Sequence, residues 1–462
     1  MALRAPGSWR IIGPLRRNAG RFPVIFLIVA TALGGVPSLA DRSSRMARLE
    51  TLTALDIGTS KVVCLIAELD RKGELEVVAR GVQHCCGLRR GALVDAEETV
   101  RAIEAAVSEA EKEAGYPVGP ALVNLSSEFL TSRPSHGVWP VGNAEGEITS
   151  DDVRRVVEAA RQVGIPSDRE IVHAIPRGFT VDGQRGICNP VGLSGLRLEA
   201  DAHVIAGSSA FLQNIRKVVQ RAGVEIHPEG LVASSIASSL AVLTDEERDL
   251  GTALLDMGLG TVDFSVYCGG EIGHSAVLPV GGEYLVQDVS RYFRVPPMEV
   301  ERLILEAGIA SPEFIEETEG DEQFLEAPPV SGDGVVQISR RELSEVLEAR
   351  IQEIFEWVGE AIRDTRRQLG LTVTSLVLTG GVSQLPGMAL VAHRELELPT
   401  RVAAPCYPPG LPLNLASPVY ATAVGLVLYG ATRIHRQEDP ALNISPVRAF
   451  FERVHRILIQ VF

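Results

Sequence analysis

Cysteine is scarce in this chain and unpatterned. Cys64, Cys85, Cys86, Cys188, Cys268 and Cys406 form no Cys-x-x-Cys pair, and the adjacent Cys85 and Cys86 could bridge only with strain. That excludes a disulfide framework and points to a reducing compartment. The histidines show no ligand spacing, so no zinc site is expected. Basic charge is short too: the formal net charge is −15, and no Lys/Arg stripe occurs away from the two ends. Nucleic acid is therefore excluded as a partner, because neutralising phosphates requires such a stripe. The apolar run Phe22 to Val36 is shorter than the roughly 20 residues that a membrane span requires.

That run follows Arg4, Arg10, Arg16, Arg17 and Arg21 and precedes Pro-Ser-Leu-Ala, which is a signal-peptide pattern. The preferred reading of residues 1–45 is a wrongly extended reading frame, with Met46 starting the chain just ahead of its first strand; a targeting segment is the alternative. The remaining residues have the composition of a globular protein, long enough for two or three domains.

Ala54 to Cys64 reads as a buried strand that breaks into a turn at Gly58 and leaves as a second strand. Asp56 stands at the strand end. Gly58 lets a ligand approach the backbone, Thr59 and Ser60 can donate to phosphate oxygens, and Lys61 is a nearby cation. A single such hairpin is equally well an ordinary turn. However, Leu254 to Asp263 repeats it: apolar strand, Asp256, a turn with Gly258 and Gly260, Thr261, then a second strand. Two copies imply two similar halves. Facing each other, they would clamp a polyphosphate, with Asp56 and Asp256 holding Mg²⁺ through water. The strand Leu376 to Leu378, running into Gly380 and Gly381, would add a third wall for a base and ribose.

Between these signals the chain reads as alternating strands and helices. Leu75 to Val82 is a third strand, Ala96 to Ala114 an amphipathic helix and Ala121 to Ser126 a buried strand. Residues 128–203 change to short strands around one helix, Ser150 to Val163, capped by Ser150, which suggests an inserted subdomain. The strand Ala202 to Gly207 resumes the main domain, followed by helices Phe211 to Ala222 and Ala233 to Leu243. Ser234, Ser235, Ser238 and Ser239 in the latter read as small residues for close packing. Tyr284 to Gly308 divides into two helices at Pro296-Pro297, and Ser339 to Glu342 reads as a capping box opening a helix to about Leu369. Val419 to Gly430 is a small-residue helix.

In the order hairpin, hairpin, Gly-Gly strand, the sequence resembles the actin, sugar-kinase and heat-shock chaperone ATPase superfamily. It is most similar there to the FtsA family of bacterial cell-division actin homologues. The resemblance covers Thr53 to Phe462, and its most specific parts are His173-Ala174-Ile175-Pro176-Arg177, Asn189 to Gly195 and Ala233-Ser234-Ser235. It implies an α/β fold: actin-like, duplicated ribonuclease-H-type domains around a nucleotide cleft, with an inserted 1C subdomain and a C-terminal amphipathic helix. The implied divisions are 46–127 with 204–248 (IA), 128–203 (1C), 249–283 with 340–432 (IIA) and 284–339 (IIB). ATP and Mg²⁺ are the implied cofactors. One departure stands out: Leu259 occupies a position where the family has glycine, and a Cβ there would restrict positive φ and crowd phosphate. No Gln, Glu or His is placed to orient an attacking water, so at most slow hydrolysis is expected.

The implied partners are the C-terminal tail of FtsZ on subdomain IIB, later divisome proteins on 1C, and further copies of the chain in filaments. An acidic tail would suit Arg291, Arg294 and Arg302. Residues 433–444 read as a linker, and Ser445-Pro446 opens a terminal helix. There Val447, Phe450, Phe451, Val454, Ile457, Leu458 and Val461 line one face, with Arg448, Arg453 and Arg456 opposite. Such a helix suits anionic inner-membrane lipids, each basic residue adding about 1 kcal/mol. The expected place is the cytoplasmic face of the inner membrane at the division septum. Two other readings use the same fold: a pilus-assembly actin homologue, expected to lack the terminal helix, and a sugar-kinase-like phosphotransferase.

Overall fold

The computed structural model describes residues 50–70, 74–142, 146–161, 164–315, 324–406 and 411–438. The expectations for residues 1–45 and for the terminal helix 445–462 lie outside the described residues.

Unbroken buried runs, Leu52 to Leu55 and Val62 to Ala67, set the first sheet. β1 (Glu50–Ile57), β2 (Lys61–Leu69) and β3 (Leu75–His84) form an antiparallel meander. A two-residue-strand hairpin follows, β4 (Leu88–Arg89) and β5 (Ala92–Leu93), and then α1 (Ala96–Ala114), capped by Asp95, whose side chain accepts from the Glu98 amide. β6 (Ala121–Leu125) pairs parallel with β1.

The inserted region comprises β7 (Leu130–Pro140), α2 (Ser150–Arg161), β8 (Arg169–Val181), β9 (Gln184–Ile187) and β10 (Arg197–Ser208). Its sheet order is β7-β10-β8-β9, and α2 covers it with Val153, Val156 and Ala160 buried. Thr149, one residue before the expected Ser150, caps α2: the Thr149 hydroxyl accepts from the Asp152 amide, and the Asp152 carboxylate accepts from the Thr149 amide. α3 (Ser209–Arg221) leads back to β11 (Ile226–Ala233), which pairs parallel with β6. α4 (Ser234–Val242) and the short α5 (Asp245–Leu250) close the first half.

The second half repeats the first. β12 (Thr252–Met257), β13 (Val262–Cys268) and β14 (Glu271–Leu278) form the second meander. α6 (Gly282–Phe293), α7 (Pro297–Ala307), β15 (Phe324–Ala327) and β16 (Val336–Ser339) precede the 30-residue α8 (Arg340–Leu369). Ser339 stands before α8 as expected, but its side chain makes no capping hydrogen bond, so the predicted box does not form. β17 (Ser375–Thr379), α9 (Met388–Leu396), β18 (Thr400–Val402) and α10 (Ala421–Glu438) complete the described chain. The two five-stranded sheets correspond strand for strand: β11-β6-β1-β2-β3 and β18-β17-β12-β13-β14. This is the duplicated ribonuclease-H-type plan.

α10 does not stay with the half that precedes it. Its buried residues, Ala421 to Leu428, join the core of the first sheet, and Gly425 meets α4 so closely that a Cβ would lie 1.8 Å from the Ala237 carbonyl oxygen. The sequence grouped this stretch with the second half because nothing local marks the crossing. α10 also runs on to Glu438, so its last turns occupy the start of the stretch read as a linker. Among the described residues, no helix is long and apolar enough to cross a membrane.

Candidate functional site: a two-hairpin cleft

The β1–β2 and β12–β13 turns have the same construction. The Gly58 amide donates to the Lys61 carbonyl at 2.9 Å, and the Gly258 amide to the Thr261 carbonyl at 2.9 Å. Neither glycine has positive φ. They are needed for closeness, since a Cβ would lie 3.1 Å from Lys61 O at the first and 3.2 Å from Thr261 O at the second. A Cβ on Gly260 would fall 2.4 Å from Thr59 Oγ1, so the two turns touch at these residues. Gly380 is different: it takes φ 84°, and a Cβ would sit 2.5 Å from Asp256 Oδ1.

All eleven residues expected to hold nucleotide line one cavity of about 660 Å³: Asp56, Gly58, Thr59, Ser60, Lys61, Asp256, Gly258, Gly260, Thr261, Gly380 and Gly381. Other residues also belong to it. Asn124, at the end of β6, accepts from the Ile57 amide at 2.7 Å and donates to Ser234 Oγ. Ser126 Oγ donates to Asp263 Oδ2 at 2.6 Å and lies 2.7 Å from Thr261 Oγ1. Thr422 Oγ1 donates to Asp256 Oδ2 at 2.7 Å. Asp263 was legible: it lies two residues beyond Thr261, and the strand's period of two puts both on one face. Asn124, Ser126 and Thr422 have no such local signal.

The cleft brings together three carboxyl groups whose charged forms burial disfavours, and one lysine. Burial pushes the Asp56 carboxyl up to about 7, with Lys61 opposing and Asp256 adding to the rise. Burial also raises Asp256, against donors from Thr422 and Ser238, and raises Asp263 further, with Asp256 as the next cause. Lys61 is pushed down by burial and held up by Asp56 and Asp256. Asp263 Oδ1 is buried without a hydrogen-bond partner. That open acceptor is one that a water of a hydrated cation could fill. Among the described residues, no three His, Cys, Asp or Glu side chains form a site that could hold a metal ion directly.

Leu259 is not strained. It does not adopt positive φ, its carbonyl accepts from the Glu283 amide at 2.7 Å, and its side chain lies against Gly282. The Cβ expected to restrict the turn is accommodated because the backbone here is in a region open to any residue.

The other expected sites lie elsewhere. Arg291 and Arg294 are exposed, at the end of α6 and just after it. Arg302 is already engaged: Glu299 and Glu306 pair with it at 2.9 and 2.7 Å, and the Glu326 carbonyl accepts a third bond. Val447, Arg448, Phe450, Phe451, Arg453, Val454, Arg456, Ile457, Leu458 and Val461 lie outside the described residues.

Comparison with known proteins places this geometry in a family. Residues 128–206 match "SHS2 domain inserted in FTSA", and residues 253–425 match "Cell division protein FtsA". The cell division protein FtsA of Pseudomonas aeruginosa is 34% identical over 388 residues, 84% of this chain and 90% of that protein. The chain belongs to the FtsA family of cell division proteins. The Escherichia coli K12 FtsA is 34% identical (82% of this chain, 90% of that one), and the Bacillus subtilis FtsA 34% (82% and 83%). Among solved structures, the PilM-PilN type IV pilus biogenesis complex matches at 17% identity and TM-score 0.58, covering 82% of this chain and 98% of that one. MreB5 of Spiroplasma citri bound to ADP matches at 14% and 0.52, covering 84% and 99%. These two structures share the actin-like fold. The FtsA inserted domain spans β7 to β10, and the second FtsA match runs from β12 into α10.

Proposed function

We propose that this FtsA-family protein binds ATP with Mg²⁺ in the two-hairpin cleft and assembles in its nucleotide-bound form on the inner membrane, where it anchors FtsZ filaments. The observation that carries this reading is the pair of glycine turns meeting at Gly260 and Thr59 in one cavity with the buried Asp263 and the partly buried Asp56 and Asp256. The turns would take the phosphates, Gly380 and Gly381 the base and ribose. Asp56, Asp256 and Asp263 would hold Mg²⁺ through water, since Mg²⁺ keeps several of its waters. The cation would supply the positive charge that the polyphosphate and these carboxylates need. Lys61 would meet a phosphate oxygen, and Ser126 would keep Thr261 and Asp263 oriented.

The same reading assigns residues 284–339 to the FtsZ tail, with the exposed Arg291 and Arg294 available to its acidic groups. The inserted region would receive later divisome proteins. Residues 445–462 would lie in the lipid interface on the cytoplasmic face at the septum, and polymerisation would multiply that weak attachment. Nucleotide acts here by shifting assembly, with turnover slow at most.

Titration with a fluorescent ATP analogue and Mg²⁺, followed by flotation on anionic vesicles with and without residues 445–462, tests the reading. Binding that Asp256→Ala abolishes, and flotation that needs both ATP and the terminal segment, are the expected results. Equal flotation of the two chains would remove the membrane assignment, and nucleotide binding unaffected by Asp256→Ala would remove the clamp.

A further inference from the structure

The β4–β5 hairpin lies over the point where the two glycine turns meet. Its tip, Arg90-Gly91, takes φ 51° and 73°, the pair of left-handed residues that a two-residue hairpin turn needs and that Asn-Gly fills most readily. Gly91 is forced by contact: a Cβ there would lie 2.1 Å from the Ser126 carbonyl oxygen. Arginine at φ 51° has no such steric excuse, and strain of this kind persists where the surroundings hold it.

The surroundings are both turns and a helix from the opposite half. The Arg90 amide nitrogen lies 3.0 Å from where a Gly260 Cβ would be, beside Thr59. The Arg90 guanidinium sits over the Tyr284 ring at 4.8 Å, and Arg350, on α8, lies 5.3 Å from the same ring. Arg89 Nε donates to Glu283 Oε1 at 3.1 Å. Glu283 and Tyr284 are in the first turn of α6, whose Gly282 and Glu283 amides donate to the Gly258 and Leu259 carbonyls. The hairpin tip and the second glycine turn thus grip one helical turn from two sides.

As an isolated surface pair, Arg89–Glu283 would count for little, because the Arg89 side chain is 60% exposed. Here it is backed by the Arg90–Tyr284–Arg350 stack. Arg90 Nε and Glu283 Oε2 are both buried without hydrogen-bond partners, so the contact is incompletely satisfied. An interface held by a few strong contacts with spare polar capacity suits a catch that opens and closes better than a fixed seam.

We propose that Arg89 and Arg90 form a latch that closes the phosphate end of the cleft onto α6. Nucleotide phosphates fix the two turns, the turns seat the hairpin tip, and the tip holds the first turn of α6. The latch therefore sets how long nucleotide stays bound and couples cleft occupancy to the position of the α6–α7 face. Arg89 and Arg90 act as positioning residues. The inference rests on reading the cleft as a nucleotide site.

The test uses the full chain, with release of a pre-bound fluorescent ATP analogue on chasing with excess ATP and amide exchange over residues 282–293. Arg90→Ala and Arg89→Glu are each expected to speed release about tenfold and to raise exchange in α6; restoring the pair by Arg89→Glu with Glu283→Arg brings release back to within about threefold of the parent. Release within twofold of the parent in both single variants, with α6 exchange unchanged, overturns the latch. If the parent chain binds no analogue, the nucleotide reading fails instead, and exchange in the unliganded chain still decides the latch: no change in α6 in either single variant rejects it.

Discussion

The two hairpins share a backbone and differ in what they carry. Asp56 and Asp256 occupy matching places before identical turn hydrogen bonds, but where the first hairpin continues with Lys61 and Val63, the second continues with Thr261 and Asp263. One side of the cleft supplies the cation, the other an extra carboxylate. Their surroundings differ as well: Lys61 lies 4.6 Å from the Tyr420 ring, whereas Thr261 and Asp263 are tied through Ser126 to the end of β6. Duplication explains the shared geometry, and the later divergence makes the pair a clamp with two unlike jaws. Under the proposed function, neither jaw alone would have the groups that both phosphate and Mg²⁺ need.

Substitutions can break or sharpen that comparison. The largest effect is expected where the jaws touch. Gly260→Val would put methyls against Thr59 and the Arg90 amide, so affinity for an ATP analogue should fall at least about hundredfold, whereas Gly58→Ala, whose Cβ meets only Lys61 O at 3.1 Å, should cost about tenfold or less. Fluorescence titration of both variants checks the ranking, and equal losses would mean that the contact between the turns does not matter.

The next effect separates charge from hydroxyl. Lys61→Ala removes a charge-assisted bond worth about 1.5–3 kcal/mol and should weaken binding about ten- to hundredfold; Thr261→Val removes a neutral one worth about 1 kcal/mol and should weaken it about fivefold. Calorimetry on the two variants would expose any reversal of that order.

A third test uses pH. Asp56 holds its proton up to about 7 in the folded chain against an ordinary 3.8, so this stabilisation is fully present below about pH 4 and is lost as pH rises through 7. Burial pushes His173 and His203 down to about 3, and their contribution runs the other way, present above about pH 6.5 and lost as pH falls towards 3. Without nucleotide or metal, the Asp56 contribution lowers the melting temperature as pH rises from about 4 to 7 while the two histidines raise it up to about pH 6.5, so Asp56→Asn should gain melting temperature relative to the parent across pH 4 to 7. An unaltered slope would mean that Asp56 is charged in the folded chain.

The smallest effect is expected at the residue whose identity looked most disruptive. Leu259→Gly should change analogue affinity by no more than about threefold, since Leu259 is unstrained and its carbonyl, which holds the Glu283 amide, is retained. A gain of tenfold or more in the same titration would show that the side chain does crowd the phosphates.

Much of this was legible in the sequence because it repeats and alternates. The two meanders, the Gly-Gly strand, α1 and the pair α6 and α7 follow from period, glycine and proline alone. What escaped has particular causes. β11 contains Pro228 and Gly230, which argue against a strand, and the register does slip between Ile226 and Leu231. Ser234 looked like a packing residue, yet it accepts from Asn124, while the Ser238 hydroxyl donates to the Ser234 carbonyl at 2.9 Å within the helix. The Thr422 contact to Asp256 spans 166 residues, and no local pattern encodes it.

The return of α10 to the first sheet has a consequence for synthesis. A Cβ on Gly430 would lie 2.6 Å from Leu122 Cδ1 and 2.8 Å from Leu52 Cδ2, so the last described helix completes a core whose other members leave the ribosome first. The amino-terminal half must wait, with part of its apolar surface bare, until α10 has been made. Such long-range closure slows folding and prolongs exposure to aggregation. A nascent chain stalled before Ala421 should remain protease-sensitive in its first half, and one stalled after Glu438 and clear of the exit tunnel should not.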